Sequence, residues 1–390
     1  MAARDDKIHI ATLPWLAFCH MMPWLEFAML VAQKGRKIPF ISIPRNIDPL
    51  PKPLPHLSSL IHYVKLPLRP VEGLPQNAEA TMDLPPTEVR YLKKALDVLQ
   101  QPMTQLLESL DPDWVFFDFA PYWLALTAAQ LGIKSSFFTI CNAPMVAFLG
   151  PSSLLIHGDD ERKKPEDFTV PPKWVPFPTN VAYRYYDIKS TFDCVKENVS
   201  GASDFVRRGW CLKSNDVIAV RSCSEIEPEW LQLIESIHRK PVFPVRQLPP
   251  TTYETEDKID MWRSIKEWLD MKEKISVVYI AFGGEAKPCK PQLTELVLGL
   301  ELSGLPFFWA HRNRRGIADK ELIELPPGFE EQTKGRGVVC TSWAPQLKIL
   351  AHESVGGFLT QSGWSSMVEA LMFGRAVILF TFYADQGINA

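Results

Sequence analysis

Residues Trp343–Gln386 read WAPQLKILAHESVGGFLTQSGWSSMVEALMFGRAVILFTFYADQ. Within this stretch the apolar run Gly357–Thr360 predicts a buried strand, and the small polar residues after it predict a turn. The run Ser366–Phe373 has helical periodicity and is followed by a glycine, which commonly ends a helix. Another apolar run, Ala376–Phe380, predicts the next strand. A strand, a turn, a helix and a strand in this order are typical of a parallel sheet with crossover helices.

The same alternation of strands and helices runs through most of the chain. It predicts an α/β fold with two Rossmann-like, doubly wound parallel-sheet domains. We place the first domain at residues 1–247, a polar linker at 248–260 and the second domain at 261–390. Three other expectations concern single segments: one long helix over Glu88–Leu110, a helix over Asn198–Leu212, and irregular, proline-rich chain over residues 144–180.

Composition excludes several classes of protein. The 390 residues are 46% hydrophobic and 22% charged, which is enough apolar material for a large core and excludes a mainly disordered chain. A net charge of -3 gives no reason to expect a nucleic-acid partner. The seven cysteines are odd in number and form no C-x-x-C pair, which favours a reducing compartment, and we predict a cytoplasmic protein.

The most apolar segment, Ile8–Ala32, is not predicted to span a membrane. Pro14, Pro23 and Glu26 interrupt it, whereas a spanning helix needs about 18 or more continuous apolar residues. A buried strand followed by a buried helix explains the segment better. The sequence leaves the oligomeric state open.

Two candidate catalytic residues follow strands of the first domain. His20 comes after the first strand and Asp118 ends the strand Trp114–Phe119, so parallel strands bring both to one sheet edge, where ligands bind in such folds. A histidine there can act as a general base, and a carboxylate behind it can fix its tautomer. The alternatives are a surface histidine at a helix N-terminus and, for Asp118, a helix N-cap.

The second domain carries the features of a phosphate and nucleotide site. The turn at Gln361–Gly363 leads into a helix, whose N-terminal N–H groups bind phosphate readily, and Trp343 offers a flat face for a base. Ser366 and Glu369 have the spacing of a capping box, although the carboxylate could instead bind ribose hydroxyls. The Gly283-Gly284 turn allows close approach of backbone to a ligand. No G-x-G-x-x-G and no P-loop motif occurs, which argues against a nicotinamide dehydrogenase and a P-loop enzyme.

This stretch resembles the signature of plant secondary-product UDP-glycosyltransferases. The agreement covers Trp343, Ala344, Pro345, Gln346, His352, Gly356, Phe358, Thr360, Gly363, Trp364, Ser366, Glu369, Gly374, Asp385 and Gln386. The segments PWLAFCH, DFAPYW, VIAVRSC, SVVYIAFG and LGLELSGLPFFWA extend the resemblance over nearly the whole chain. They look like the branch that includes rhamnosyltransferases and sugar-to-sugar glycosyltransferases.

The resemblance implies a GT-B fold, in which the two domains face each other across a cleft. It implies transfer of a hexose, glucose or rhamnose, from a UDP-sugar to a hydroxyl of a small-molecule acceptor such as a flavonoid, a terpenoid or a glycoside of either. His20 would be the general base and Asp118 would balance its charge. No cofactor and no metal are expected. The residues implied for the UDP-sugar are Gly283, Gly284, Trp343, Ala344, Gln346, Gln361, Gly363, Trp364, Ser365, Ser366, Glu369, Asp385 and Gln386.

Several departures from the family pattern favour an alternative, a truncated or degenerate member that is not catalytic. Gln361 stands where the family has a histidine that contacts the pyrophosphate, Gly284 where a serine is usual, and Cys19 where a glycine precedes the base. If that glycine needs a positive φ, a side chain costs about 1 kcal/mol or more. Family members also continue past the Asp-Gln pair, whereas this sequence ends at Ala390, so we expect an incomplete second sheet.

Overall fold

The structure, a computed structural model, describes residues 8–192, 196, 198–251, 259–285, 288–311 and 324–390. The chain divides into two compact units between Leu248 and Pro249. This division lies next to the boundary predicted after residue 247. Most of the predicted linker, at 252–258, lies outside the described residues. Each unit has its own sheet, in which all the paired strands are parallel.

The first unit is built on a seven-stranded sheet among its described residues. Its strands are β1 Ile10–Leu13, β2 Ile38–Ser42, β3 Ile61–Lys65, β4 Trp114–Phe117, β5 Lys134–Thr139, β6 Val217–Val220 and β7 Val242–Pro244. Its helices are α1 Phe18–Ala32, α2 Pro44–Ile47, α3 Val89–Asp97, α4 Gln100–Leu110, α5 Leu124–Gln130, α6 Ala143–Leu149, α7 Ser152–His157, α8 Tyr185–Thr191, α9 Asp204–Ser214 and α10 Pro228–His238.

The strand order of this sheet, β3-β2-β1-β4-β5-β6-β7, reverses its direction of growth between β1 and β4. These two strands pair in parallel, with Leu13 opposite Phe117. In a doubly wound sheet the ligand crevice opens beyond the carboxyl ends of the strands at such a switch point. The topology therefore places the segments after Leu13 and Phe117, which carry His20 and Asp118, at the expected site.

The second unit repeats this plan with a five-stranded sheet among its described residues, in the order β10-β9-β8-β11-β12. Its strands are β8 Val277–Ala281, β9 Phe307–Ala310, β10 Gly337–Cys340, β11 Val355–Thr360 and β12 Ala376–Leu379. Its helices are α11 Ile259–Asp270, α12 Lys290–Ser303, α13 Phe329–Gln332, α14 Gln346–Ala351, α15 Trp364–Met372 and α16 Gln386–Asn389. The switch point lies between β8 and β11, so the glycine turns that follow these strands meet at one edge.

Close packing at the centre of the second sheet depends on one glycine of β11. The rings of Tyr279 on β8 and Phe358 on β11 stack with centroids 5.0 Å apart. The register of the two strands shifts between Val355 and Gly357. At Gly356, a Cβ atom would lie only 2.4 Å from the backbone oxygen of Ile275, so a side chain does not fit without movement of the backbone.

Three of the predicted segments differ from the structure, each for a local reason. The long helix over 88–110 is two helices, α3 and α4, because Pro102 lacks an N–H and its ring would clash with the carbonyl of residue 98. The helix predicted at 198–212 begins at Asp204, where the Ser203 hydroxyl accepts a hydrogen bond from the Val206 N–H. Residues 144–180 were expected to be irregular, but prolines at helix starts are compatible with α6 and α7.

Two further observations concern the environment of the chain. Among the described residues, no helix combines the length and the apolarity that crossing a bilayer requires. None of the six cysteines that the structure describes forms a disulfide bond.

Candidate functional site

The structure brings His20 and Asp118 into direct contact. His20 is the third residue of α1, and Asp118 directly follows β4. The Nδ1 atom of His20 lies 2.6 Å from Oδ2 of Asp118. The carboxylate is buried, with 2% of the residue exposed, whereas 17% of the His20 side chain remains accessible. This pair is the arrangement predicted for a general base and the carboxylate that orients it.

Asp118 receives more hydrogen bonds than the sequence suggested. Its Oδ2 atom also accepts from the backbone N–H of Trp15 at 3.3 Å and from the indole Nε1 of Trp24 at 3.2 Å. Its Oδ1 atom accepts from the N–H of Phe119 at 2.7 Å. A buried carboxylate needs such partners, because an unpaired buried charge is very costly. The partners also leave its oxygens little freedom to move away from His20.

These contacts decide the ionisation of Asp118 and the tautomer of His20. Burial acts to raise the pKa of Asp118, but the charge and hydrogen bond of His20 and the N–H donors of Phe119 and Trp15 outweigh it, and the pKa is lowered. Asp118 is therefore ionised at neutral pH and can only accept hydrogen bonds. The Nδ1 atom must donate to it, which leaves Nε2 of a neutral imidazole without a proton and able to take one.

Three alternative interpretations of this site do not hold. Asp118 is not the N-cap of the following helix, because α5 begins at Leu124 with Trp123 as its capping position. Cys19 lies within α1 and is not among the residues of positive φ, so the side chain that replaces the family's glycine carries no such strain. His20 is indeed near a helix N-terminus, but it is bonded to a buried carboxylate rather than free at the surface.

In the second unit, the two glycine turns meet around the side chain of Gln361. Gly283 follows β8 with a φ of +69°, and Gly284 continues this turn. A Cβ atom at Gly283 would lie 2.7 Å from Nε2 of Gln361, and one at Gly363 would lie 3.1 Å from the same atom. The amide of Gln361 therefore fills the space between the turns, where the resemblance places the pyrophosphate. The neighbouring Ser362 has a φ of +66°, which is unusual for a residue with a side chain.

Gln346, Ser366 and Glu369 form a second polar cluster. Nε2 of Gln346 donates to Oε2 of Glu369 at 2.6 Å and lies 3.4 Å from Oγ of Ser366, and its Oε1 accepts from the Tyr279 hydroxyl at 3.3 Å. The N-cap of α15 is Gly363, so Ser366 and Glu369 do not form a capping box. The structure thus removes the capping interpretation and places Glu369 beside Gln346.

Four further residues of the predicted set are Trp343, Ala344, Trp364 and Ser365. Trp343 follows β10 and is 40% exposed, an unusual exposure for a large aromatic residue. Ala344 is partly buried against the core of the second unit. Trp364 and Ser365 are the first two residues of α15, where N–H groups lack helical acceptors. That helix end is suited to an anion.

Asp385 and Gln386 are held by the loop that carries them. Oε1 of Gln386 accepts from the N–H groups of Phe382 at 2.8 Å and Tyr383 at 3.1 Å, so this oxygen is occupied within the protein. Asp385 accepts from Nδ2 of Asn389 at 2.9 Å, and the same Nδ2 donates to the carbonyl of Ser362 at 3.0 Å. Asn389 therefore ties Asp385 to the glycine turn.

Four residues of these sites were not predicted from the sequence: Trp15, Trp24, Tyr279 and Asn389. Trp24 stands four residues after His20 on α1, and Asn389 four residues after Asp385, so helical spacing was an available signal for both. Trp15 acts through its backbone N–H, for which residue type gives no signal. Among the described residues, no group of three histidine, cysteine or acidic side chains could hold a metal ion.

Known proteins share this sequence and this fold. Residues 251–390 match the family model described as UDP-glucoronosyl and UDP-glucosyl transferase. UDP-glycosyltransferase 91C1 of Arabidopsis thaliana is 47% identical over 387 residues, which cover 99% of this chain and 82% of that protein. Soyasaponin III rhamnosyltransferase of Glycine max is 39% identical, and the match covers 98% of this chain and 80% of that protein.

Among solved structures, Arabidopsis thaliana UGT89C1 complexed with UDP-L-rhamnose matches with a TM-score of 0.70 at 22% identity, over 98% of this chain and 82% of that one. Two parallel α/β units with this likeness define the fold as GT-B. With the sequence matches, the assignment becomes specific. The chain belongs to the plant UDP-glycosyltransferases, enzymes that transfer a sugar from a UDP-sugar to a small-molecule acceptor.

Proposed function

We propose that this chain transfers a hexose, glucose or rhamnose, with inversion, from its UDP carrier to a hydroxyl of a flavonoid, a terpenoid or a glycoside of either. The observation that carries the proposal is the 2.6 Å contact between Nδ1 of His20 and the buried carboxylate of Asp118. That contact directs the Nδ1–H group to Asp118, so Nε2 is the ring nitrogen that is able to take a proton. The rhamnosyltransferase name of the Glycine max relative supports rhamnose beside glucose.

In this mechanism, Nε2 of His20 takes the proton of the acceptor hydroxyl while the oxygen attacks the anomeric carbon of the sugar. The bond between that carbon and the UDP oxygen breaks, and UDP leaves with its electron pair. Asp118 stays ionised and stabilises the imidazolium that forms. Attack opposite the leaving group inverts the anomeric configuration. The first unit thus contributes the base and the second the residues for the sugar nucleotide.

The residues of the second unit have separate roles in the proposal. Trp343 and Ala344 bind uracil, and Gln346 and Glu369 bind the ribose hydroxyls. Gly283, Gly284, Gln361, Gly363, Trp364, Ser365, Ser366 and the N-terminus of α15 face the phosphates and the sugar, and Asp385 and Gln386 face the sugar hydroxyls. Gln361 donates from a neutral amide, whereas charge-assisted hydrogen bonds are roughly twice as strong as neutral ones.

A second candidate is a truncated or degenerate family member that binds UDP-sugar weakly or not at all and does not turn it over. Two observations favour it: Gln361 is uncharged, and Oε1 of Gln386 is already bonded to two backbone N–H groups. Calorimetric titration with UDP, followed by a transfer assay on the same sample, separates the candidates. Binding together with turnover excludes the second one, whereas neither binding nor turnover by folded protein excludes the first.

The decisive experiment for the base is the variant His20→Ala. General base catalysis contributes about 100- to 10,000-fold, so we expect a loss of kcat in that range with UDP-rhamnose or UDP-glucose and an accepted flavonoid or terpenoid. Asp118→Asn should also lower kcat, because the amide can present an N–H to the imidazole. The exposed His56 provides a matched control as His56→Ala. A folded His20→Ala variant with wild-type kcat would overturn the proposed role of His20 as the base.

A further inference from the structure

The segment that carries Asp118 has no regular secondary structure of its own. It runs from the end of β4 at Phe117 to the start of α5 at Leu124. The N–H of Asp118 donates to the carbonyl of Leu13 at 3.2 Å, and short turn bonds follow. A loop of this kind is positioned by side chains from elsewhere, so the residues that hold residues 118–123 control where the carboxylate lies.

Two fully buried side chains of α9 hold the carbonyls of this loop. Nη1 of Arg207 donates to the carbonyl of Ala120 at 2.7 Å, and the thiol of Cys211 donates to the carbonyl of Phe119 at 3.2 Å. Arg207 and Cys211 are four residues apart, which places them on the same face of α9. Both are 0% exposed, so water does not compete for these carbonyls.

Arg207 is itself fixed by Asp97 at the end of α3. Nη1 of Arg207 lies 2.9 Å from Oδ1 of Asp97, and Nη2 lies 2.5 Å from Oδ2, a bidentate pair of the kind that gives geometric specificity. Nη2 also donates to the Ser200 hydroxyl at 2.9 Å. Asp97 in turn accepts from the indole Nε1 of Trp123 at 3.2 Å, and Trp123 closes the same loop. The ion pair therefore contacts the loop at two points, the carbonyl of Ala120 and the indole of Trp123.

The loop also touches the base directly. The ring of Phe119 lies 6.2 Å from the His20 ring and 5.7 Å from Trp15, measured between centroids. On α9, the guanidinium of Arg208 lies 4.4 Å from the centre of the Phe119 ring. A shift of this loop would therefore move both the carboxylate and the aromatic neighbour of His20.

We propose that Arg207, held by Asp97, is a positioning residue for the His20–Asp118 pair. Its guanidinium fixes the carbonyl of Ala120 and thereby holds Asp118 and Phe119 against the base. It contacts neither His20 nor the carboxylate of Asp118 in the structure. This inference rests on the proposed function, because it assigns Arg207 a role in the reaction that His20 starts.

The kinetic test is Arg207→Lys. Lysine keeps a charge for Asp97 but lacks the planar fork that reaches Asp97 and Ala120 together. A displacement of about 1 Å in a catalytic group can cost about 100-fold, so we expect kcat to fall about 10- to 100-fold with the KM for the UDP-sugar unchanged. The matched control is Arg162→Lys. Arg162 is another buried arginine of the first unit, paired with Asp160 and bonded to the carbonyls of Phe148 and Leu149. We expect it to keep its kcat.

A double variant tests whether the effect of Arg207 on catalysis depends on Asp118. In an Asp118→Asn background, Arg207→Lys should lower kcat no further, because the group that it positions has already been changed. Equal fold-losses in both backgrounds would show a general structural effect and overturn the inference.

A spectroscopic test does not depend on turnover. With 15N-histidine labelling, the hydrogen-bonded Nδ1–H proton of His20 should give a downfield proton resonance, assigned by its loss in His20→Ala. Arg207→Lys and Asp97→Asn should weaken or abolish this resonance, whereas Arg162→Lys should retain it. If Arg207→Lys does not fold, Cys211→Ala removes the other loop contact with little change in volume and should weaken the same resonance.

The outcomes separate this inference from the proposed function. If His20→Ala remains fully active, the proposed role of His20 as the base fails, whatever the resonance shows. If His20→Ala is inactive but Arg207→Lys keeps both wild-type kcat and the resonance, only the positioning role fails. If the wild-type protein shows no transfer activity, the positioning role of Arg207 is tested by the resonance alone. Its retention in Arg207→Lys would then overturn that role.

Discussion

Individual polar residues of this enzyme differ in how their buried atoms are satisfied. Asp118 accepts four hydrogen bonds and still faces the base, so its environment prepares it for a charge on His20. Gln386 has a side chain that could bind sugar hydroxyls, but its Oε1 atom accepts hydrogen bonds from two backbone N–H groups of its own loop. His238, at the end of α10, shows the opposite condition: among the described residues, neither of its ring nitrogens has a hydrogen-bond partner.

His238 should make the stability of the first unit depend on pH. Burial lowers its pKa from 6.5 to about 4, assisted by the charge of Lys240. Between pH 6.5 and about pH 4, His238 is protonated in the unfolded chain but not in the folded chain. Its contribution to the free energy of unfolding is therefore fully present above pH 6.5 and is lost as the pH falls. We expect the free energy of unfolding to decrease by about 2 kcal/mol from pH 7 to pH 5 on this account. Urea unfolding at the two pH values measures it.

The control for this effect is His238→Gln, which cannot titrate. Its unfolding free energy should lose that part of the difference between pH 7 and pH 5, while the exposed His56→Gln should behave like the wild type. An unchanged pH dependence in His238→Gln would show that other groups cause the acid sensitivity.

The strand β11 shows how one element combines packing with a site. Its start must pass close to Ile275, its middle stacks on β8, and its end at Thr360 leads into the Gln361–Gly363 turn. Gly356 and Gly357 are adjacent glycines, but their surroundings differ. Only the first is required by a close approach of backbone.

Substitution of each glycine by alanine should therefore have different effects. At Gly356 the new Cβ would lie 2.4 Å from the Ile275 carbonyl oxygen, so we expect a loss of about 1–3 kcal/mol in the free energy of unfolding. At Gly357 the nearest atom is 3.7 Å away, which is ordinary contact. Gly357→Ala should be neutral or stabilise by up to about 1 kcal/mol, because alanine restricts the unfolded chain. Thermal unfolding of both variants tests this, and equal effects would refute the distinction.

Among the elements, the sequence predicted the strands more accurately than the helix ends. Apolar runs predicted β1, β4, β11 and β12, and their alternation with helices was enough to predict a doubly wound fold. The break between α3 and α4 and the late start of α9 depend on single residues, Pro102 and Ser203, whose local effects a periodic pattern does not contain. For the site, spacing left Glu369 with two roles, and the observed N-cap of α15 at Gly363 removed the capping role. Hydrogen bonds between residues about a hundred positions apart, such as Trp15 to Asp118, are not encoded in any local pattern.

At the scale of the whole molecule, the two candidate sites belong to different compact units. We therefore expect a bound nucleotide to protect residues of the second unit from hydrogen exchange. With UDP at about 100 times its Kd, amides that exchange through opening of its binding site should slow about 100-fold. We expect this protection at residues 343–346, 361–369 and 383–386, measured by hydrogen exchange with mass spectrometry. Adenosine diphosphate, which differs from UDP in its nucleobase, serves as the control for recognition of uracil. Protection confined to residues 8–248 would contradict the assignment of the second unit to the sugar nucleotide.

The pairing of β1 with β4 also has a consequence for synthesis of the chain. The N–H of His9 bonds to the carboxylate of Asp113, 104 positions later, and Ile10 lies opposite Trp114. At about 5–20 residues per second, a ribosome needs roughly 5–20 seconds to make the strand that completes this pair. During that interval β1 can pair with β2 but lacks β4, its other neighbour in the sheet. The contact between His20 and Asp118 can form only when this delay ends, because it needs residue 118 of the 248 residues in the first unit.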